Sequence, residues 1–210
     1  DGARGFEDVQ GGAELAKFLP LNAYGWSKHM VDRRISAILE GADGETPPQW
    51  AGLKFFNVYG PNEYHKGGQK SVVAHLFPQI QETGQAKLFK SYNPEYADGG
   101  QLRDFIWVGD CCDVMLWLAD NPSVSGLLNV GTGQARSFDD LAKSTFSGLK
   151  QDVKIEYIEM PEILRDKYQY FTQATVSKIK SLGYKKQFTP LEIGVERYVQ
   201  DYLMKDDPYR

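Results

Sequence analysis

An α/β fold built on a parallel sheet is predicted by three features of the 210-residue sequence. Tyr24, Lys28, Val31, Ile35 and Ile38 recur at spacings of three and four, which is the period of a helix, over the span from about Asn22 to Glu40. The segment LKFFNVYGP at 53–61 then reads as a buried strand running into a loop, closed off by Gly60 and Pro61. RDFIWV at 103–108 and LLNVG at 127–131 read as further strands, separated by a helical stretch from Asp110 to Ala119. Helices alternating with short buried strands are the pattern of a parallel sheet covered by its crossover helices.

The remaining elements follow from local signals. Gly41 is placed to stop the first helix, and GADGETPPQW at 41–50 is rich in turn residues. Val72, Val73, Leu76, Phe77 and Ile80 predict a helix within 71–83, with Pro78 expected to kink it or move its start. Ser137 with Asp140 reads as a capping box ahead of Leu141 and Phe146, KIEYIEM at 154–160 alternates like a strand, and another helix ends at Gly183. Thr189 is expected to cap the last helix, with Pro190 in its first turn and Glu192 completing a capping box; Leu191, Val195, Tyr198, Val199 and Tyr202 form its apolar stripe.

Composition narrows the function classes. With 41% hydrophobic and 25% charged residues the chain can bury a substantial core. No apolar run approaches the roughly 20 residues that span a bilayer, and the opening DGARGFEDVQ lacks the basic-then-apolar pattern of a secretory signal, so a cytoplasmic protein without a membrane partner is expected. A net charge of -4 argues against nucleic acid as a partner. Cys111 and Cys112 are adjacent, so they neither close a loop nor match spaced zinc ligands, and read as reduced, packed thiols. Asp110 and Asp113 read as a helix start and its charged first turn rather than metal ligands, and no metal site is proposed. Gly131 and Gly133 in NVGTG lack the full phosphate-loop patterns and read as a tight strand-to-helix connection.

Tyr24 and Lys28 form a YxxxK pair, placed by i,i+4 spacing on one face of the first long helix. A phenol ordinarily titrates near about 10, so a cation that favours phenolate lets such a group exchange a proton with a sugar hydroxyl near neutral pH. The same spacing is common on solvated helices, and the pair alone does not decide between the two readings.

NAYGWSK, a helix, and then KFFNVYGP resemble the catalytic helix and following strand of the extended short-chain dehydrogenases. EYHKGGQKSVVAH, KLF, RDFIWVGD, NVGTG and KYQYFTQA follow in the order of the nucleotide-sugar epimerases of that family, and the HKG and YQxFTQA segments resemble its ADP-heptose 6-epimerase branch. The resemblance runs from about Pro20 to Tyr202. It implies a Rossmann-like fold with a smaller α/β C-terminal substrate-binding region, NADP as cofactor, ADP-heptose as substrate and a homo-oligomer, a pentamer in the family.

Residue by residue, the resemblance implies that Tyr24 and Lys66 are the two acid/bases, on opposite sides of the reacting carbon. Lys28 would bind the nicotinamide ribose and favour the phenolate, while Val58 and Lys66 would border the cofactor. Asn57, Gly68, His75, Phe89, Lys90, Ser91, Tyr92, Arg103 and Tyr168 would border the sugar nucleotide, with Arg103 offering a planar, charge-assisted contact to the diphosphate. Blander readings stand beside these: a solvated loop charge for Lys66, a turn residue for Asn57, an ion pair with Asp104 for Arg103, packing for His75, Phe89 and Tyr168, and a solvent-facing loop for 90–92. The reaction implied is epimerisation at C6 through a carbonyl, for lipopolysaccharide core synthesis. Other nucleotide-sugar 4-epimerases or dehydratases, and a non-catalytic sugar-nucleotide-binding fragment, are the alternatives.

The chain departs from the family in three places. It begins just before the catalytic helix, so the N-terminal glycine-rich cofactor-binding half is expected to be missing, and the isolated chain is expected to be inactive and poorly stable. Gly68 stands where the family commonly has a serine, and YNPEYADGG adds a loop before Arg103. The expected division is a remnant of the dinucleotide-binding domain over 1–62 and a mainly substrate-binding region over 63–210, with about 103–150 returning to the first.

Overall fold

The computed structural model describes residues 7–20, 22–41, 47–165 and 168–209. Within them the chain order is α1 (Gly12–Leu15), α2 (Ala23–Leu39), β1 (Ala51–Phe55), β2 (Asn57–Tyr59), a 3-10 segment (Tyr64–Gln69), α3 (Val72–Thr83), β3 (Ala86–Phe89), β4 (Leu102–Trp107) and α4 (Val108–Asp120). There follow β5 (Gly126–Val130), β6 (Ala135–Ser137), α5 (Phe138–Leu149), β7 (Ile155–Ile158), α6 (Glu162–Arg165), α7 (Ser177–Ser181) and α8 (Leu191–Tyr198), which runs into a π turn (Val199–Leu203). Part of the turn-rich stretch at 41–50 and the first residues of the opening segment lie outside the described residues.

The parallel α/β pattern holds. β1 pairs in parallel with β5, β2 with β4, and β3 with β7; among the described strands only β6 runs antiparallel, against β4. The centre is β4, whose alternate side chains enter different cores. Phe105 and Trp107 pack with Tyr59, Val73, Phe77 and the α8 stripe Leu191, Val195 and Tyr198, while Ile106 packs with Val114, Leu118, Leu128 and Val130. Burial on both faces is what a parallel strand between crossover helices requires.

Several local expectations are corrected. The segment 53–61 is two short strands, because the chain changes partner at Phe56, whose N–H donates to Val130 O at 3.1 Å before β2 turns to β4. Nor is the first of these strands fully buried: Phe55 is 46% exposed. Pro78 lies inside α3 without moving its start, which Ser71 fixes by accepting a hydrogen bond from Ala74 N. Thr189 does not cap α8. Its N–H and hydroxyl donate to Asp110 at 2.7 and 2.9 Å, and Glu192 pairs with Arg136 instead of closing a box. The capping box of Ser137 and Asp140 is present as expected. NVGTG leads into the short strand β6 before α5, so it is a strand-to-strand turn. Cys111 is buried, but Cys112 is exposed rather than packed. Among the described residues no helix is long and apolar enough to cross a membrane.

Candidate active site

α2 carries the YxxxK pair as its spacing required. The Asn22 side chain accepts from Gly25 N at 2.8 Å and fixes the start of the helix, so Tyr24 and Lys28 fall on one face with the Lys28 ammonium 5.2 Å from the Tyr24 ring centroid. Both line a cavity of about 650 Å³ between α2 and β1, walled by Phe18, Leu53 and Phe55. Tyr24 is 72% exposed. At the far side of this cavity Lys54 pairs with Asp32 at 2.8 Å. His29 is buried, and burial, with Arg33 nearby, pushes it towards its neutral form.

Asn57, Val58 and Lys66 meet at a second cavity of about 250 Å³, closed by Tyr59, Glu63, Ser71 and Phe105. Consecutive residues separate the two spaces: Gly52–Phe55 floor the first and Phe56–Tyr59 the second. Tyr24 and Lys66 therefore line neighbouring cavities and are not brought into one. Among the described residues, Asn57 makes no side-chain hydrogen bond to stabilise a turn, and Lys66 has no ion-pair partner. His75 is exposed on α3, with Nε2 3.4 Å from Gly68 O, so it is not a packing residue; Gly68 itself faces open space.

A third grouping gathers six of the residues expected at the sugar nucleotide. Arg103, on β4, lies 5.3 Å from the Tyr168 ring centroid and 5.6 Å from that of Phe138. Its own hydrogen bond is to Leu102 O at 2.8 Å, and among the described residues it has no carboxylate partner. Burial pushes the Arg103 guanidinium down from its ordinary value. Asp104 does not compensate it: fully buried, that carboxylate accepts from Thr132 N, Gly133 N and Ala174 N at 2.7, 2.9 and 2.9 Å and so holds the NVGTG turn. Tyr168 packs edge-on against Tyr170, whose hydroxyl accepts from Tyr92 N at 3.0 Å. Lys90 and Tyr92 both reach Glu159, the former at 2.7 Å. Phe89 ends β3 beside them, and Ser91 turns its hydroxyl to Asn93 O within its own loop.

Sequence reasoning missed three members of this corner. Glu159 holds Lys90 and Tyr92, Arg165 stacks on the Tyr92 ring at 4.0 Å, and Tyr170 bridges Tyr168 to Tyr92. Tyr170 lay within a motif that drew attention to its neighbours. Glu159 and Arg165 left no pattern, because they meet the 90–92 loop only through β3–β7 pairing. Glu63, buried at the foot of the Lys66 loop, opens the EYHKGG segment but was given no role of its own.

The model for the NAD dependent epimerase/dehydratase family matches residues 5–131. The chain belongs to that family. It is 50% identical over 210 residues to the ADP-L-glycero-D-manno-heptose-6-epimerase of Nitratidesulfovibrio vulgaris (strain DP4), covering 100% of this chain and 62% of the relative. Against the protein of the same name from Fusobacterium nucleatum subsp. nucleatum it is 46% identical, covering 99% of this chain and 63% of the relative. The chain thus spans somewhat under two thirds of these relatives. The crystal structure of the Helicobacter pylori ADP-L-glycero-D-manno-heptose-6-epimerase superposes with a TM-score of 0.66 at 28% identity, over 87% of this chain and 52% of that one. The Thermus thermophilus UDP-glucose 4-epimerase, in complex with NAD, gives 0.67 at 20% identity over 86% of this chain and 54% of that one, a likeness of fold alone.

Proposed function

We propose that this chain is part of an ADP-heptose 6-epimerase that interconverts ADP-D-glycero-D-manno-heptose and its L-glycero form, using NADP. The observation that carries the reading is the Arg103 guanidinium, stacked between Tyr168 and Phe138 with no carboxylate partner among the described residues, in a chain half identical to proteins named for this reaction. A half-buried guanidinium with no carboxylate partner among the described residues favours an anion, and its planar fork suits a diphosphate. The aromatic rings beside it offer flat apolar surface to a sugar or base.

The donor set around Tyr24 fits a nicotinamide ribose: a hydroxyl and an ammonium on one helix face, above an apolar wall of Phe18, Leu53 and Phe55. Lys28 would hold the ribose hydroxyls there, with Val58 and Lys66 bordering the ring from β2 and its loop. When bound, the cofactor supplies hydride removal and return at C6. Tyr24 takes the proton from the C6 hydroxyl as the carbonyl forms. Lys66 would give a proton to the same oxygen from its own side when the carbonyl is reduced on its opposite face. Asn57, His75 and the backbone at Gly68 would orient the heptose between them. Such a two-base scheme requires the neighbouring cavities of Tyr24 and Lys66 to act as one site across the β1–β2 junction.

The division near residue 62, a homo-oligomer and a role in lipopolysaccharide core synthesis belong to the same proposal. Its test is to express the chain with whatever coding sequence precedes it in its gene and to supply each ADP-heptose epimer. A mixture of both epimers from either start supports the reading. Conversion of a UDP-hexose instead would assign a 4-epimerase, and nucleotide binding without turnover would leave a binding fragment.

A further inference from the structure

We propose that Glu63 is a positioning residue that closes the Lys66 loop through Ser71 and anchors it to the last helix through Tyr198; this rests on the reading of Lys66 as an acid/base. Glu63 and Ser71 are the two feet of the loop 64–70. The Glu63 carboxylate is only 4% exposed, and both of its oxygens are used across the loop's base: Oε2 accepts from Ser71 N and Oε1 from Ser71 Oγ, each at 2.5 Å. From α8 the buried Tyr198 hydroxyl donates to Oε1 at 3.0 Å. A further tie runs from the loop's first residue, where the Tyr64 hydroxyl donates to Pro208 O at 2.8 Å and the ring meets Tyr209 edge-on at 5.0 Å.

The middle of the loop leans on this base, because its other ties among the described residues are the Tyr64 contacts at its start, the backbone bonds from Lys66 N to Glu63 O and Lys70 N to Gly67 O, and the His75 Nε2 contact with Gly68 O at 3.4 Å. Gly67 sits at φ +55, and neither Gly67 nor Gly68 has anything within 4 Å of where a Cβ would lie. Two adjacent glycines in open space give the backbone wide freedom, and Lys66 adds a long, exposed side chain with no partner among the described residues. An acid/base must be held close to its productive position, and a displacement of about 1 Å costs on the order of a hundredfold in rate. A carboxylate suits position 63, because it accepts from the Ser71 N–H, the Ser71 O–H and the Tyr198 O–H at once, with both hydroxyls free to keep these orientations. An amide keeps the Ser71 N–H only if the hydroxyl facing its N–H₂ reverses to accept, which replaces charge-assisted hydrogen bonds by weaker neutral ones. Glu63 does not touch the reacting carbon in this scheme; it acts through Lys66.

The test uses the protein expressed with its preceding coding sequence, and compares Glu63→Gln, Glu63→Asp and Tyr198→Phe with Lys66→Met. Glu63→Gln is expected to accelerate amide hydrogen exchange across 64–70 at least about tenfold while exchange in β4 and β5 is unchanged, and to lower kcat by about a hundredfold with KM little altered. Glu63→Asp, which keeps the charge, should recover part of both losses. If Glu63→Gln fails to fold, Tyr198→Phe decides, since it removes one donor and leaves the ring in the core; faster exchange confined to 64–70 with a several-fold lower kcat is expected. Unchanged exchange in the loop, or exchange that rises equally everywhere, would overturn the positioning role. Full turnover in Lys66→Met would instead overturn the reading on which it rests, and the two failures are thereby distinct.

Discussion

The Arg103 guanidinium lies 5.3 Å from the centre of the Tyr168 ring, and the adjacent carboxylate, Asp104, points away from it into the NVGTG turn. A positive group is thus held among aromatic rings with its charge uncompensated by any described residue. Arg103→Ala is expected to weaken ADP binding roughly ten- to hundredfold, the worth of a charged hydrogen bond. Arg103→Lys should restore little, because a single ammonium lacks the planar fork. Calorimetric titration with ADP checks both, and equal affinity in all three proteins would remove Arg103 from the nucleotide site.

Tyr24→Phe and Lys66→Met each delete one proton-handling group without touching the core, since both side chains are exposed. Turnover of ADP-heptose is expected to fall by about 10²–10⁴ in each, with the circular dichroism spectrum unchanged. Retention of full turnover by both would defeat the two-base scheme.

The α5 cap predicts an acid limb in stability. Burial pushes the Asp140 carboxyl up, but hydrogen bonds from Ser137 and Arg136 outweigh this and hold it below its ordinary value; Arg136 does the same for Glu192. A carboxyl whose folded value lies below its unfolded one stabilises the fold above the unfolded value, and that contribution is lost as pH falls through the folded one. Urea midpoints should therefore drop as the pH falls below about 4. Asp140→Asn should flatten that limb, and Ser137→Ala should cost about 1 kcal/mol at neutral pH. Parallel acid limbs in the Asp140→Asn and parent proteins would contradict the assignment.

Burial, with Asp110 and Cys112 adding to it, pushes the Cys111 thiol up to about 12, whereas Cys112 is exposed. A thiol reagent at neutral pH is expected to modify one cysteine in the folded chain and both in denaturant, and Cys112→Ser should abolish the native reaction. Native modification of both would show that α4 is not packed as described.

A Cβ at Gly194 would lie 2.0 Å from the Tyr59 hydroxyl, itself buried beneath α8. Gly194→Ala should destabilise the fold by about 1–3 kcal/mol, read as a lower urea midpoint with an unchanged slope. An unaffected midpoint would argue against this docking of α8 on β2.

Elements whose signals are local were legible in the sequence. The period of α2, the Ser137 cap and the α8 stripe are set within a turn or two, and they recur in the structure. What escaped is set by distant pairing. Nothing near Phe56 announces that β1 and β2 take different partners, and Thr189 looked like a cap because its competitor, Asp110, lies far away in sequence. At the site, a family pattern marked Arg103, Tyr168, Lys90 and Tyr92, which the structure gathers into one corner. Glu159 and Arg165 carry no motif of their own, and only the fold puts them beside marked residues; Glu63 lies inside the EYHKGG segment, but its bonds to Ser71 and Tyr198 are visible only in the fold.

The proposed C6 epimerisation of an ADP-heptose is tested most directly by nuclear magnetic resonance of the sugar during incubation with the protein expressed from its whole gene. Pure D-glycero and pure L-glycero substrates are expected to converge on the same mixture in the presence of NADP. Two substrates that both persist unchanged, under conditions where the protein is folded and binds ADP, would contradict it.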